Sequence, residues 1–333
     1  MSYPFLQEYK NYHTTLDFET KCAQLPFVHD SSVKITRKHL SPKQWNYRYR
    51  ISMRPNSNGV LGYYQPQSHN HVEMPACKLA HNKINDVLQQ LPPLPFSVHQ
   101  VDLKTNGKKV IGNIIDKKPL HPNKRQEILQ WATSLDGCAY NGKNFYKDAT
   151  LSYRFGNIHH RISPNTFTQV NLEINDVLID RIVSFVDYFT PVSKIADLYS
   201  GCGNLSFPLL QKGLNVDMME IAPSSVKDAK QNLKNHTFTG KATIHKKNAD
   251  LFQAGDLFFD LVILDPPRKG ASKSLQQILL THPKGIIYIS CNPNALYRDM
   301  KLLTDYTCIA FEAFDMFPQT NHLEILAVFE RKP

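Results

Sequence analysis

Two hydrophobic rhythms divide this chain. From Ser32 to about Phe155, apolar and polar residues alternate in short runs, the signature of half-buried strands. The run Trp45–Arg54 predicts a strand with Tyr47, Tyr49, Ile51 and Met53 on one face and Arg48, Arg50 and Arg54 on the other. Val60–Tyr64 predicts its return strand after a turn at Pro55–Gly59. One helix, about Ala80–Gln90, stops before Pro92-Pro93. The first 30 residues are partly helical in pattern.

After Pro164 the rhythm changes. Leu172, Val177, Leu178, Ile182, Val183 and Val186 form a helical stripe along Asn171–Phe189. Strands and helices then alternate: strand Lys194–Tyr199, helix Asn204–Gln211, strand Asn215–Glu220 and helix Ser224–Asn235. Further strands are predicted at Ala242–His245, Leu261–Leu264, Gly285–Ser290 and Ile325–Arg331. This alternation implies an α/β fold with a mostly parallel, doubly wound sheet that binds its ligand at the carboxyl ends of the strands.

Charge gives the two halves different tasks. Residues 1–165 hold 22 Lys+Arg against 11 Asp+Glu, whereas residues 166–333 hold 17 against 18. A basic first domain (1–165) beside a near-neutral second (166–333) suggests a polyanion-binding module joined to something else, although a basic surface without a partner is also possible. No basic start leads into an apolar run, and no stretch approaches a membrane-spanning length, so a cytoplasmic protein without membrane attachment is expected. The six cysteines show no zinc spacing. His69, His71, Cys77 and His81 lie close in sequence but match no metal motif, and no metal is expected.

Candidate chemistry concentrates at the strand ends of the second half. Asp197–Asn204 (DLYSGCGN) runs from a strand through a glycine loop into a helix, where backbone N–H groups are free to meet a ligand. Glu220 ends the next strand, where an acidic group can bind ribose hydroxyls. Ser206 replaces the third glycine of a dinucleotide fingerprint, which favours a cofactor without a pyrophosphate. Asp265-Pro266-Pro267-Arg268 stiffens the loop after another apolar strand. Cys291 follows a further strand and is a candidate nucleophile, though such a cysteine is commonly just a small buried residue. Glu324 stands at the mouth of the last strand.

These segments, with Phe167–Asn171 and Phe317–Glu324, occur in the order seen in the RNA 5-methyluridine methyltransferase family, which the chain resembles over most of its length. Tyr47–Arg50, Gly62-Tyr63 and Val72–Leu79 resemble that family's central RNA-contacting domain more loosely. The resemblance implies a Rossmann-like class I methyltransferase domain preceded by a smaller α+β RNA-binding domain. Two family features are missing from the pattern: room for an additional amino-terminal oligonucleotide-binding barrel, and four amino-terminal iron–sulfur cysteines, so no cluster is expected.

The resemblance implies S-adenosylmethionine as cofactor, bound by Gln169, Tyr199, Asn204, Glu220 and Asp265, with Asn248 near the adenine. It assigns Cys291 to attack carbon 6 of uracil and Glu324 to remove the carbon 5 proton. Ribosomal and transfer RNA both remain open as substrate. Two rivals remain: a methyltransferase acting on adenine or guanine amino groups, and a catalytically silent RNA-binding protein on the same scaffold. Neither needs Cys291 or Glu324.

Overall fold

The computed structural model describes residues 17–27, 33–65, 68–155, 158–254 and 257–333. Contacts do not divide the chain at one point after residue 165. Residues 43–154 and 159–172 form one unit, and residues 15–42, 155–158 and 173–333 the other.

The chain's first described elements, α1 (Phe18–Ala23) and β1 (Arg37–His39), belong to the second unit. Asp17 caps α1 by accepting from the Thr20 amide at 2.8 Å. Phe18, Cys22, Leu25, Phe27 and Val33 are buried in the same core as Tyr288, Phe311 and Ala313, which is why this segment groups with residues far along the chain.

The first unit holds β2 (Arg50–Pro55), β3 (Leu61–Tyr64), β4 (His71–Glu73), α2 (Asn82–Leu88), β5 (Gln100–Thr105), β6 (Val110–Ile115), α3 (Arg125–Ala132), β7 (Gly137–Tyr140) and β8 (Lys143–Tyr146). Its seven-stranded sheet has the order β4-β3-β2-β5-β6-β7-β8. β9 (Leu151–Phe155) and β10 (Ile158–Ile162) form a separate two-stranded sheet. Tyr47, Ile51 and Met53 are buried as the alternation predicts, and β2 and β3 pair antiparallel. The other face differs from expectation. Arg54 is exposed, but Arg48 and Arg50 are half-buried, Arg48 bonded to the Tyr47 hydroxyl and Arg50 lying over the Phe167 ring at 4.6 Å. Buried Lys104 donates to the carbonyls of Pro164 and Thr166, both at 2.6 Å, and so fastens the loop that carries Phe167 and Gln169.

The second unit continues with α4 (Leu172–Tyr188), β11 (Lys194–Leu198), α5 (Ser206–Gln211), β12 (Asn215–Glu220), α6 (Pro223–Asn235), β13 (Ala242–Lys246) and β14 (Leu261–Leu264). It ends with α7 (Ser272–Leu279), β15 (Gly285–Ser290), α8 (Pro293–Met300), β16 (Tyr306–Phe314) and β17 (Glu324–Arg331). Its eight-stranded sheet runs β1-β16-β17-β15-β14-β11-β12-β13, parallel except where β17 pairs antiparallel with β15 and β16. β14 and β15 are buried at every position, so they are continuous apolar runs rather than alternating ones. β16 is missing from the strands expected from sequence, and so is its parallel partner β1. No described helix is long and apolar enough to cross a membrane.

Candidate active site

The site follows from where the strands of the second sheet stop. β11 ends at Leu198; Tyr199 follows as a non-glycine residue at φ +65°, and the chain turns through Gly201 (φ +57°) and Gly203 (φ +97°) into α5. The two glycines serve different needs. A Cβ on Gly203 would meet the Phe207 ring at 2.5 Å, whereas one on Gly201 would have nothing within 4 Å. Gly203 is therefore required by packing, while Gly201 leaves one side of the loop open to a ligand. Glu220, ending the neighbouring β12, accepts from the Gly201 amide at 2.9 Å and the Ala222 amide at 2.6 Å. Each carboxylate oxygen keeps a lone pair for a further donor. Beneath the loop, Asp197 Oδ1 and Ser200 Oγ are buried with no hydrogen-bond partner among the described residues. Burial pushes the Asp197 carboxyl up to about 7 despite a 2.5 Å bond from Ser206.

Tyr199 turns its hydroxyl to Asp250 at 2.6 Å and Ser274 at 2.7 Å, and burial raises its pKa. Asn248 caps a short 3-10 helix by accepting from the Asp250 amide at 3.0 Å. Asn204 forms a reciprocal amide pair with buried Asn175 of α4, at 2.8 and 3.0 Å. Gln169 is half-buried and belongs to the first unit; the other seven sequence-derived site residues all belong to the second.

Three adjacent strands supply the candidate reactive groups. Asp265 follows β14, Cys291 follows β15, and Glu324 begins β17, with β15 between the other two in the sheet. β15 and β17 pair antiparallel with Ser290 opposite Ile325, so one further step along each strand sets Cys291 against Glu324. Neighbouring strands are about 4.8 Å apart. Cys291 is fixed from both sides. Ser290 Oγ accepts from the Asn292 amide at 3.1 Å, and the Asn292 side chain donates to the Arg268 carbonyl at 2.7 Å. Burial, then Glu324 and Asp265, push the Cys291 thiol up to about 11, and Arg268 pulls it back. Burial raises Asp265 to about 7, and burial and Asp265 hold Glu324 well above the ordinary carboxylate range.

Cys291 opens into a pocket of about 350 Å³, lined also by Arg268, Asn294, Asn321, His322, Lys21 and Gln24. Arg268 and His322 approach to 3.3 Å. The sequence argument identified Cys291 and passed over the rest of this wall. Arg268 stood inside a quoted motif and could have been found; Lys21 and Gln24, far away in sequence, could not.

Known proteins resemble this chain in sequence and in fold. An RNA methyltransferase of Staphylococcus aureus, itself uncharacterized, is 28% identical over 86% of this chain and 72% of its own. A 23S rRNA (uracil(1939)-C(5))-methyltransferase of Pectobacterium carotovorum is 28% identical over 81% of this chain and 64% of its own length. The fold matches the crystal structure of Pyrococcus abyssi tRNA (uracil-54, C5)-methyltransferase in complex with S-adenosyl-L-homocysteine. That match has a TM-score of 0.72 at 22% identity, over 88% of this chain and 78% of the other. The tRNA (uracil-5-)-methyltransferase family matches residues 141–332, more than half of the sequence, and the chain belongs to that family.

Proposed function

We propose that this enzyme methylates carbon 5 of a uridine in structured RNA, ribosomal or transfer, through a covalent adduct with Cys291 that Glu324 resolves. The supporting observation is the strand register that sets Cys291 against Glu324. An amino-group methyltransferase needs no thiol at that point and no carboxyl opposite it.

The residues around Gly201 suit S-adenosylmethionine. The loop offers an open backbone face, Glu220 keeps acceptor capacity for a ribose diol, and Ile221 beside it exposes 58% of an apolar side chain suited to a purine face. The unpartnered Ser200 Oγ lies in the same loop, and the unpartnered Asp197 Oδ1 in the strand that leads into it. Tyr199, Asn204 and Asn248 hold the loops around this cradle, and Asp265 stands between it and Cys291 in strand order. Bound there, the cofactor supplies an electrophilic methyl group beside a positive charge.

Carbon 5 of uracil is too electron-poor to accept a methyl group unaided. When the Cys291 thiol loses its proton to solvent in the open pocket and its sulfur bonds to carbon 6, electron density moves onto carbon 5 and the carbonyl oxygen, which Arg268 in the same pocket wall can stabilise. After carbon 5 is methylated, Glu324 takes its proton, the ring double bond re-forms and the Cys291 sulfur leaves. Burial makes Glu324 a stronger base than an exposed carboxylate.

RNA carrying 5-fluorouridine tests the reading, because fluorine at carbon 5 cannot be removed as a proton. Wild-type protein with S-adenosylmethionine should form a denaturation-resistant RNA–protein band, and Cys291→Ala should form none while still binding the cofactor. Turnover by Cys291→Ala on ordinary RNA would overturn the covalent route and favour amino-group methylation.

A further inference from the structure

We infer that Lys21, on the amino-terminal helix α1, is a positioning residue for Glu324, acting through the loop between β16 and β17; the inference rests on the reading of Glu324 as the base. That loop, residues 315–323, has two tasks. Asn321, His322 and Leu323 line the pocket beside Cys291, and the next residue is Glu324 itself.

The loop has no regular structure, so something must hold it. Inside it, Thr320 Oγ1 donates to the Phe317 carbonyl at 2.8 Å and accepts from the His322 amide at 3.2 Å. From outside, Lys21 Nζ reaches Asp315 Oδ1 at 3.0 Å and the Phe317 carbonyl at 3.1 Å. Both charged side chains are only 2% exposed. Removing a lysine and an aspartate from water is costly before any attraction is counted. A methionine would fill similar space without that cost if packing were the only need. The ammonium instead supplies directional bonds to two points at the root of the loop. Lys21 also lines the Cys291 pocket, together with Gln24, Leu25 and Pro26 just after α1, so this helix and the turn behind it form a wall of the site.

Cys291 is held differently. Ser290, Asn292 and the start of α8 fix it without any bond to Lys21. Loosening the Lys21 tether therefore displaces Glu324 and leaves the nucleophile in place. The step that suffers is removal of the carbon 5 proton, after the adduct has formed and been methylated. A residue with a merely structural role would lower the amount of folded enzyme and trap nothing.

The test uses full-length Lys21→Met, methyl-labelled S-adenosylmethionine and bulk RNA from cells lacking this gene. Turnover should fall about tenfold to hundredfold, the scale expected when a catalytic group is misplaced by an ångström. A labelled, denaturation-resistant RNA–protein band should accumulate as it does in Glu324→Gln, with cofactor affinity unchanged. A folded Lys21→Met with parental turnover, or with reduced turnover and no band, overturns the inference. Should Lys21→Met fail to fold, Asp315→Asn carries the test, because it keeps an oxygen for Lys21 while weakening the tether. A smaller band is expected there, and its absence counts equally against the inference. Glu324→Gln separates the two failures. A band in Glu324→Gln but not in the Lys21 and Asp315 variants sinks the inference alone, whereas no band in Glu324→Gln sinks the base assignment and this inference with it.

Discussion

At Cys291 the protein places a thiol among carboxyl groups, and Asp265 and Glu324 share that burial. Burying these carboxyls weighs against the fold. A carboxyl whose folded pKa is raised is protonated more readily in the folded than in the unfolded chain, so folding is penalised as pH rises. For Asp265 the penalty grows from about pH 4, where the unfolded carboxyl ionises, to about 7, and is full above that. Asp265→Asn and Glu324→Gln should therefore raise the thermal midpoint of the cofactor-free protein at pH 8, with the gain shrinking as pH falls toward 4. Calorimetry across that range checks it, and a gain that grew on acidification would contradict the assigned shifts. Cys291, Asp265 and Glu324 were nominated from sequence because each adjoins a strand with a marked apolar run, and Glu220 because it ends the strand after the glycine loop. Lys21 was not, because its partner Asp315 is 294 residues away.

At the scale of elements, the loop between β11 and α5 is built around two glycines with opposite requirements. Gly201→Ala places a methyl group in open space at φ +57°, so the fold should survive with a loss of about 1–2 kcal/mol from the left-handed backbone. The same methyl occupies the face left open for a ligand, so S-adenosylmethionine binding by calorimetry should weaken far more than stability does. Unchanged affinity in a folded Gly201→Ala protein would remove this loop from the cofactor site. Strands β14 and β15 were readable because burial on both faces makes them continuous apolar runs. β16 was not. Its sequence, YTCIAFEAF, mixes small and polar residues, its register shifts between Cys308 and Ala310, and its buried Glu312 looks like a solvated position. Arg181 neutralises Glu312 at 2.6 Å and His39 hydrogen-bonds to it at 2.7 Å, both from distant parts of the chain.

Across the whole molecule, division by contacts sharpens the division by charge. Residues 43–154 and 159–172 hold 17 Lys+Arg against 7 Asp+Glu, the whole net charge of +10, while the second unit holds 21 of each. The first unit's exposed cations include Arg54, 5.7 Å over Tyr64, and Lys78, 5.4 Å over Trp45, with both rings 40% exposed. Such pairs suit phosphates and unstacked bases together. Replacing Arg54 and Lys78 by alanine should weaken RNA binding, flatten its dependence on salt and leave S-adenosylmethionine binding unchanged, as titrations at two salt concentrations would show. An unchanged salt slope would move the contact surface elsewhere. The expected boundary after residue 165 missed residues 17–42, because a short helix and a three-residue strand carry no mark of the sheet they join. That joining also fixes an order of events during translation. β1 pairs residues 37–39 with 312–314, so the ribosome releases one wall of the Cys291 pocket long before its partners exist. That segment must wait, unseated, until residues 312–314 have emerged. A nascent chain halted before Tyr306 would carry Gly201 and Cys291 but neither the seat for α1 nor Glu324, so the pocket beside Cys291 closes only once β16 and β17 have been made.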